Sequence, residues 1–398
     1  MNILYMHQYF QVNSGGTRSF EFSKYLVEEG NDVTILTGTQ VDEDEVSGIN
    51  VISTHTEYKQ SYSFVRRIYA FLHFMIKSIL LGSKQKKTDI IFATSTPLTI
   101  GITAFIVSRI LRKKYIFEVR DVWPDIPIQL GFIKNKLVIK LLRKLELFIY
   151  KHATHIIVLS VGMKENLIYK GIDPEKISVI TNLANNRLVE SISVNEKKIV
   201  EKYPFLKDKF ICIHAGTMGF VNGLEHMINI ANIEKDNDVV YLLIGEGKEK
   251  EKLKKMKDFY QLNNVYFLDT MSKVEVLELI KFSDVGMMSV SDYSILQDNS
   301  ANKFFDYLAA GKPIILNYLG WQNEVLREHN AGKGFSYKQK EEYYSYLIEL
   351  KENKSLYDET KKNSKRIGEV YYDSVKLSKE LSSILNKVYS GDSNEKVI

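Results

Sequence analysis

The chain has 398 residues, 44% of them hydrophobic and 26% charged, with only 6 prolines. At about 150 residues per domain this predicts two or three domains, each with its own core, and it excludes a disordered or collagenous chain. Lys+Arg 54 against Asp+Glu 49 leaves a net charge of +5, too small and too scattered to point to nucleic acid, although an anionic membrane surface stays open as a partner.

A single cysteine, Cys212, with no CxxC, HExxH or close His/Cys set in the sequence, excludes an internal disulfide, argues against a structural zinc site and suits a reducing cytoplasm. The opening MNILYMHQYF has no basic segment ahead of an apolar one, so no signal peptide is expected. NILYMHQYF itself reads as a strand buried on both faces. A Ser14-Gly15-Gly16 turn follows, then a helix with Phe20, Phe22, Tyr25 and Leu26 on its inner face and Gly30 at its end, then the strand DVTILTG. This is a βαβ unit with a glycine turn at its first strand-to-helix junction.

The uncharged run from Ile90 to Ser108 is long enough for a membrane span, but Thr94-Ser95-Thr96-Pro97 splits it into a strand, a loop and a helix. IIFAT (90–94), KYIFEVRD (114–121), THIIVLS (154–160) and ISVITN (177–182) continue a doubly wound parallel sheet. From about 185 to 208 the chain is polar and carries no strand signal. The pattern then restarts with FICIHAG (210–216), VVYLLIGEG (239–247), NVYFLD (264–269), DVGMMSV (284–290) and PIILN (313–317). Two α/β domains in tandem are expected, over 1-190 and 191-370, with ligands bound in a cleft at the carboxyl ends of their strands.

Glycines at 15 and 16 would let the backbone approach a phosphate or sugar while the next helix directs its N–H groups at it. The pattern is not GxGxxG and no acid ends the second strand, so a plain tight turn stands beside that reading. DNSANKFFDYLAAGKP (298–313) reads as a helix start capped by Ser300 or Asn302, with Asp298 and Asp306 eight apart and Lys303 in the first turn. A lysine there works against the helix dipole and suggests a nearby anion; an ordinary solvated helix is the other reading. EVRDVWPD (118–125) gathers Glu118, Arg120, Asp121 and Asp125 beside Trp123 at a strand end, either as functional charges or as a structural Arg–Asp pair. Asp42-Glu43-Asp44 matches a DxD metal motif, but it lies in an acidic run with no strand delivering it, and no metal is predicted. His152 and His155 lack further ligands and read as structural, and His7 stands alone after the first strand.

NSANKFFDYLAAGKPII resembles the signature of retaining glycosyltransferase family 4, in particular bacterial enzymes that build O-antigen and capsule repeats with N-acetylated deoxy-sugars such as N-acetylfucosamine. The resemblance extends through Gly15-Gly16, ATSTPLTIG (93–101), EVRDVWPD (118–125), the block at 158–167, HAGTMGFVNGLE (214–225), LLIGEGKEK (242–250) and GWQNEVLREHNAGKGF (320–335). It implies a GT-B fold: α/β, two Rossmann-like domains, the acceptor held by the N-terminal one and a donor nucleotide-sugar mainly by the C-terminal one. The family's E-x7-E pattern falls on Asp298 and Asp306, both aspartate here. Similarity then implies that Asp306 meets the ribose hydroxyls and that Asp298 faces the donor sugar.

Where many relatives place an Arg and a Lys for the diphosphate, this chain has Thr217 and Asn222. Lys303 is therefore expected to offset that charge, helped by backbone N–H groups from Gly216 to Gly219 and at the helix start near Asn302, with Arg18 as a second candidate. Gly15, Gly16, Thr217, Gly245 and Gly247 complete the implied substrate-binding set, and Arg120 and Asp121 join Asp298 as the implied catalytic set. GT-B chains cross back at their end, so the stripe Val375, Leu377, Leu381, Ile384, Leu385 and Val388 within 371-389 is expected to pack on the N-terminal domain, with the polar tail beyond Gly391 in solvent.

Residues 62–87 combine apolar residues at helical spacing with Arg66, Arg67, Lys77, Lys84, Lys86 and Lys87, which fits an interfacial helix on an anionic membrane or a core helix with a basic end. The expected activity is retaining transfer of an N-acetylated amino or deoxyamino sugar from a UDP-sugar donor to a lipid-linked saccharide acceptor, in capsule, O-antigen or related surface polysaccharide synthesis. The enzyme would work at the cytoplasmic membrane face without cofactor or metal, the leaving diphosphate helping to deprotonate the acceptor. The alternatives are a UDP-sugar 2-epimerase of the same two-domain fold and a non-catalytic saccharide- or nucleotide-binding protein.

Overall fold

The computed structural model describes residues 1–12, 17–41, 46, 48–56, 62, 64–233 and 238–391. The chain forms two compact units, Met1–Thr181 joined by the segment from Val375 onward, and Asn182–Ser374. In chain order the first contains β1 (Asn2–Met6), α1 (Arg18–Glu28), β2 (Asp32–Thr37), β3 (Asn50–Ser53), α2 (Phe64–Gly82), β4 (Ile90–Thr94) and α3 (Thr99–Leu111). It continues through β5 (Lys114–Val119), α4 (Asp125–Gln129), α5 (Lys136–His152), β6 (His155–Val158), α6 (Val161–Tyr169) and β7 (Ile177–Val179). The second contains α7 (Asn186–Ser191), α8 (Glu196–Lys202), β8 (Phe210–Ala215), α9 (Glu225–Ala231), β9 (Val239–Ile244), α10 (Lys250–Phe259), β10 (Val265–Leu268) and α11 (Lys273–Phe282). It closes with β11 (Val285–Met288), α12 (Asn302–Ala309), β12 (Ile314–Leu316), α13 (Trp321–Glu328), β13 (Gly332–Gly334), α14 (Lys340–Glu352) and α15 (Lys354–Val370). Helix α16 (Ser374–Ser390) then belongs almost wholly to the first unit.

Each unit is built on one parallel sheet: seven strands in the order β3-β2-β1-β4-β5-β6-β7, and six in the order β10-β9-β8-β11-β12-β13. Central strands are buried along their whole length, as in IIFAT of β4 and VVYLLI of β9, because helices cover both faces of such sheets. In both sheets the first strand of the unit sits where the winding reverses, β1 between β2 and β4, and β8 between β9 and β11. Right-handed crossovers leave a crevice at the carboxyl end of that strand. Two strands had no sequence signal, β3 and Gly332-Lys333-Gly334 of β13, and they exist through their parallel pairing to β2 and β12.

Helices α2, α3, α5 and α6 share one core against the first sheet, through Phe74, Ala104, Val107, Ile149, Met163 and Leu167. Helix α1 differs from its expected pattern. Phe22 and Leu26 are buried, but Phe20 and Tyr25 are only half-buried, and Arg18, Ser19 and Ser23 take the inner face. Partners on the sheet make this possible: Ser19 Oγ accepts from the buried Tyr5 hydroxyl at 3.1 Å, and Arg18 meets Glu118 of β5.

The units divide between Thr181 and Asn182, not near residue 190. Hydrogen bonds explain the shift: Asn182 donates to Ser300, and Asn186 Nδ2 donates to Gly368 O at 3.1 Å and Asp373 at 2.9 Å. The polar stretch after them is helical, α7 and α8. In α16 the side chains of Leu377, Leu381, Ile384, Leu385 and Val388 are buried, and Lys114 Nζ donates to Val388 O at 2.7 Å. The tail from residue 392, Gly15-Gly16 and Asp42-Glu43-Asp44 lie outside the described residues.

Candidate functional site

The densest arrangement of predicted residues lies in the second unit, at the carboxyl ends of β8 and β9. Gly216 follows β8 at φ +152°, and Gly245 and Gly247 follow β9 at φ +137° and +159°. A Cβ on Gly245 would lie 2.1 Å from Gly216 O, and one on Gly247 would lie 2.2 Å from Met218 O. Only glycine lets the two turns touch backbone to backbone, and they are then tied by Gly216 N to Ile244 O at 2.9 Å and Met218 N to Glu246 O at 2.8 Å. The loop continues to Gly223, whose carbonyl accepts from Ser289 Oγ at 2.8 Å. Asn317 locks the neighbouring strand end by accepting from Val290 N and donating to Ser289 Oγ, both at 2.8 Å.

Helix α12 is aimed at this turn by Tyr307. Its hydroxyl donates to Ile213 O at 3.1 Å and accepts from Ala215 N at 3.3 Å, while its ring lies where a Cβ on Gly286 would be. Lys303 is four residues earlier, hence on the same helix face. Its chain rests on Gly216, with Cε 3.0 Å and Nζ 3.4 Å from the point a Cβ there would occupy. Burial pushes the Lys303 ammonium down to about 8, and the Asp306 carboxylate opposes that push. Buried His214, the next-to-last residue of β8, is held well below its ordinary range by burial and by the Lys303 charge, so it stays neutral.

Neither expected cap is used. The N-cap is Ala301, which has no side-chain acceptor, because Ser300 and Asn182 hydrogen-bond to each other. The first N–H groups of α12 and the positive end of its dipole are therefore left to a ligand or to water. Asp306 is held by a residue that the local pattern did not flag: Lys273, at the start of α11, donates to both carboxylate oxygens at 2.7 and 2.6 Å. Asp298 is half-buried at the end of a short turn, Ser294–Asp298. That turn is anchored by Trp321 Nε1 donating to Asn299 O at 2.9 Å. Thr217 is exposed and Gly219 and Asn302 are half-buried.

The first unit gathers a smaller set at the ends of β1, β4 and β5. Arg120 N donates to Ser95 Oγ at 3.0 Å, and the Arg120 guanidinium reaches His7 Nε2 at 3.5 Å. Burial, then the Arg120 charge, holds His7 well below its ordinary range. Asp121 is reached by solvent, yet the protein around it raises its carboxyl, with Arg120 opposing. Arg120 and Asp121 are thus available at a strand end, whereas Glu118 and Asp125 of the same segment are structural. Asp125 accepts from Lys170 at 2.7 Å, and Lys170 also meets Glu146 at 2.5 Å.

Arg18 has to be withdrawn as a ligand-binding cation. Its side chain is fully buried, Nε and Nη2 donate to Glu118 at 3.0 and 2.8 Å, and the remaining donors go to the carbonyls of Ile180 and Thr181. Glu118 in turn accepts from Thr94 Oγ1 at 2.6 Å. His155 donates to or accepts from Ser178 at 2.8 Å, and His152 donates to Phe148 O at 2.7 Å, so both sit in local structure. Among the described residues no group of three or more His, Cys, Asp or Glu is placed to hold a metal ion.

Family models divide the chain as the fold does. Residues 15–185 match Glycosyltransferase Family 4 and residues 195–367 match Glycosyl transferases group 1. A protein of Pseudomonas aeruginosa named as a glycosyltransferase, WbjE, is 23% identical over 239 residues, 60% of this chain and 59% of that one. WcaI of Escherichia coli K12, named for glycosyl transfer in colanic acid biosynthesis, is 21% identical over 232 residues, 57% of each chain. The match thus spans less than two thirds of either relative. In three dimensions the chain resembles Anabaena HepE, solved with UDP and glucose, at TM-score 0.75 and 14% identity, covering 97% of this chain and 100% of that one. Each half of the chain carries its own glycosyltransferase domain on a Rossmann-like sheet, and the protein is a glycosyltransferase of the GT-B fold.

Proposed function

We propose that the protein transfers a sugar from a UDP-sugar, with retention of configuration, to a lipid-linked saccharide during synthesis of a surface polysaccharide. The observation that carries this reading is the Lys303 ammonium lying on Gly216, with Asp306 one turn further along the same helix. As the anomeric bond breaks, the diphosphate gains negative charge. Donors fixed in advance, in partly water-excluded surroundings, favour that charge more than mobile water does. Lys303, the backbone N–H groups of Thr217 and Gly219 and the uncapped start of α12 would receive the diphosphate, whereas Gly216 N and Met218 N, expected to help, are spent on Ile244 O and Glu246 O. Asp306, oriented by Lys273, would accept from the ribose hydroxyls, and Asp298 would face the donor sugar.

On the first unit, Arg120 and Asp121 would serve the acceptor or the donor sugar beside neutral His7, which the Arg120 guanidinium reaches, and Gly15 and Gly16, eight and nine residues after His7 in the chain, would join them. The departing diphosphate would help to take the acceptor proton. UDP is favoured because HepE, which shares the fold, was solved with it. A surface polysaccharide is favoured because WcaI is named for colanic acid. An N-acetylated amino or deoxyamino sugar is favoured as the donor by the resemblance of NSANKFFDYLAAGKPII to family 4 enzymes that use such sugars. The decisive experiment follows UDP release from candidate UDP-sugars and their epimerisation. Release only when a saccharide acceptor is present supports transfer; conversion of the UDP-sugar to its 2-epimer without acceptor, with or without hydrolysis to UDP and free sugar, would favour the 2-epimerase, and binding with neither UDP release nor epimerisation would favour a non-catalytic binding protein.

A further inference from the structure

We propose that the outer side of the helical layer α2, α3 and α5 is the surface by which the protein lies on an anionic lipid bilayer. The inference deepens the reading of a lipid-linked acceptor, but it stands on observations of its own. Helix α2 carries two stripes of the same spacing, an inner one of mostly small residues and an outer one that is wholly apolar. The inner one, Ala70, Phe74, Ser78 and Gly82, is buried against the sheet. The outer one, Ile68, Leu72, Ile76 and Leu80, together with Tyr69, is 42% to 67% exposed. The helix is therefore both a core helix and one with an unpartnered apolar face.

Helix α3 packs between α2 and α5, and α5 repeats the feature, with Leu137 79% and Leu141 67% exposed and Val138 and Phe148 beside them. Phe132 is exposed just ahead of α5, and Ile110 at the end of α3. Helices α1, α4 and α16, outside this layer, expose among the described residues one large hydrophobic side chain, Tyr389, while α6, which shares the core of the layer, exposes Val161, Ile168 and Tyr169. Single exposed apolar residues need no explanation, but a layer of them across neighbouring helices marks a binding surface.

Charge selects the occupant. Helices α2, α3 and α5 contain one acid between them, Glu146, and it is buried and paired with Lys170. The exposed charges interleaved with the apolar residues are all basic, including Lys77, Arg109, Lys136, Lys140 and Lys144. Such a face repels a second copy of itself, since a two-fold interface would bring like charges together. It complements phosphate headgroups, with the apolar side chains entering the headgroup boundary and the lysines reaching back to it. No helix among the described residues is long and apolar enough to cross a membrane, so the contact is lateral.

The test is co-sedimentation of the full chain with vesicles of phosphatidylglycerol and phosphatidylcholine, against phosphatidylcholine alone. Binding is expected on the anionic vesicles and should fall at high salt. The double variants Leu72→Ser/Ile76→Ser and Leu137→Ser/Leu141→Ser should each weaken it roughly tenfold or more, while thermal unfolding, UDP affinity and transfer to a water-soluble acceptor stay as in the parent. Failure of the parent to bind, or equal binding by both variants, would overturn the proposal. So would light scattering that shows a parent dimer dissolved by these substitutions. If the parent binds vesicles but transfers no sugar, the docking surface stands and the transferase reading of the acceptor falls.

Discussion

The two units place a cation near the end of their first strand in opposite ways. In the first, Arg18 is fully buried, and its guanidinium donors go to Glu118 and to two main-chain carbonyls. In the second, Lys303 is half-buried, rests on a glycine, and faces an aspartate whose two oxygens are already held by Lys273. A charge whose hydrogen bonds are completed inside the protein holds the fold together. One kept near the surface, with its pKa lowered to about 8, gains from an incoming anion. The same residue class at similar places in similar sheets thus serves stability in one unit and ligand binding in the other.

Replacing Arg18 gives the largest expected effect. Arg18→Met leaves Glu118 as an uncompensated buried charge and should lower the stability of the first unit by about 3–5 kcal/mol, read from its urea transition, while UDP affinity of the folded protein stays near the parent's. A stable Arg18→Met protein that had lost UDP binding would erase the contrast. Lys303→Met should do the reverse, leaving the melting temperature at or above the parent's, since burial opposes the charged lysine, and lowering kcat by roughly 10²–10³-fold, the loss typical of one charge-stabilising donor. Unchanged turnover would move the diphosphate away from Gly216.

Asp306→Ala, which removes the carboxylate that Lys273 orients, should weaken UDP by roughly 10- to 150-fold, equivalent to about 1.5–3 kcal/mol for hydrogen bonds to a charged group. It should weaken 2′-deoxy-UDP much less, and calorimetry showing equal losses for the two nucleotides would remove the ribose from Asp306. A pH series sharpens the role of Lys303. Its folded pKa is depressed, so it is charged below about 8. UDP affinity should hold steady up to that point and then fall by up to about tenfold per pH unit above it, a slope absent in Lys303→Met. The sign for stability is opposite: the unfolded lysine binds its proton more tightly, so this group's contribution to stability rises as pH passes upward through about 8. The smallest expected effect is none: transfer should persist in excess EDTA, and a loss restored by Mn²⁺ or Mg²⁺ would put a metal in the role given to Lys303.

Much of this architecture was legible in the linear chain. Buried parallel strands need near-continuous β-branched and aromatic runs, and IIFAT and VVYLLI supplied them. Helix α12 placed Lys303 and Asp306 on neighbouring turns because a helix of known period leaves no other choice. What local pattern could not supply was the partner of each charge. Arg18 finds Glu118 at a separation of 100 residues, and Asp306 finds Lys273 at a separation of 33, so neither pairing leaves a trace in spacing. The strands β3 and β13 likewise depend on neighbours whose order in the sheet is set by the whole fold. The two stripes of α2 make the same point: they share one period and the outer is the more hydrophobic, yet the sheet buries the inner, with its small Ala70, Ser78 and Gly82, so the side on which the sheet lies decides which is core and which is surface. Sequence determines what a segment is able to bury; the tertiary structure decides what it is buried against, because burial and charge pairing are properties of residues brought together from distant parts of the chain.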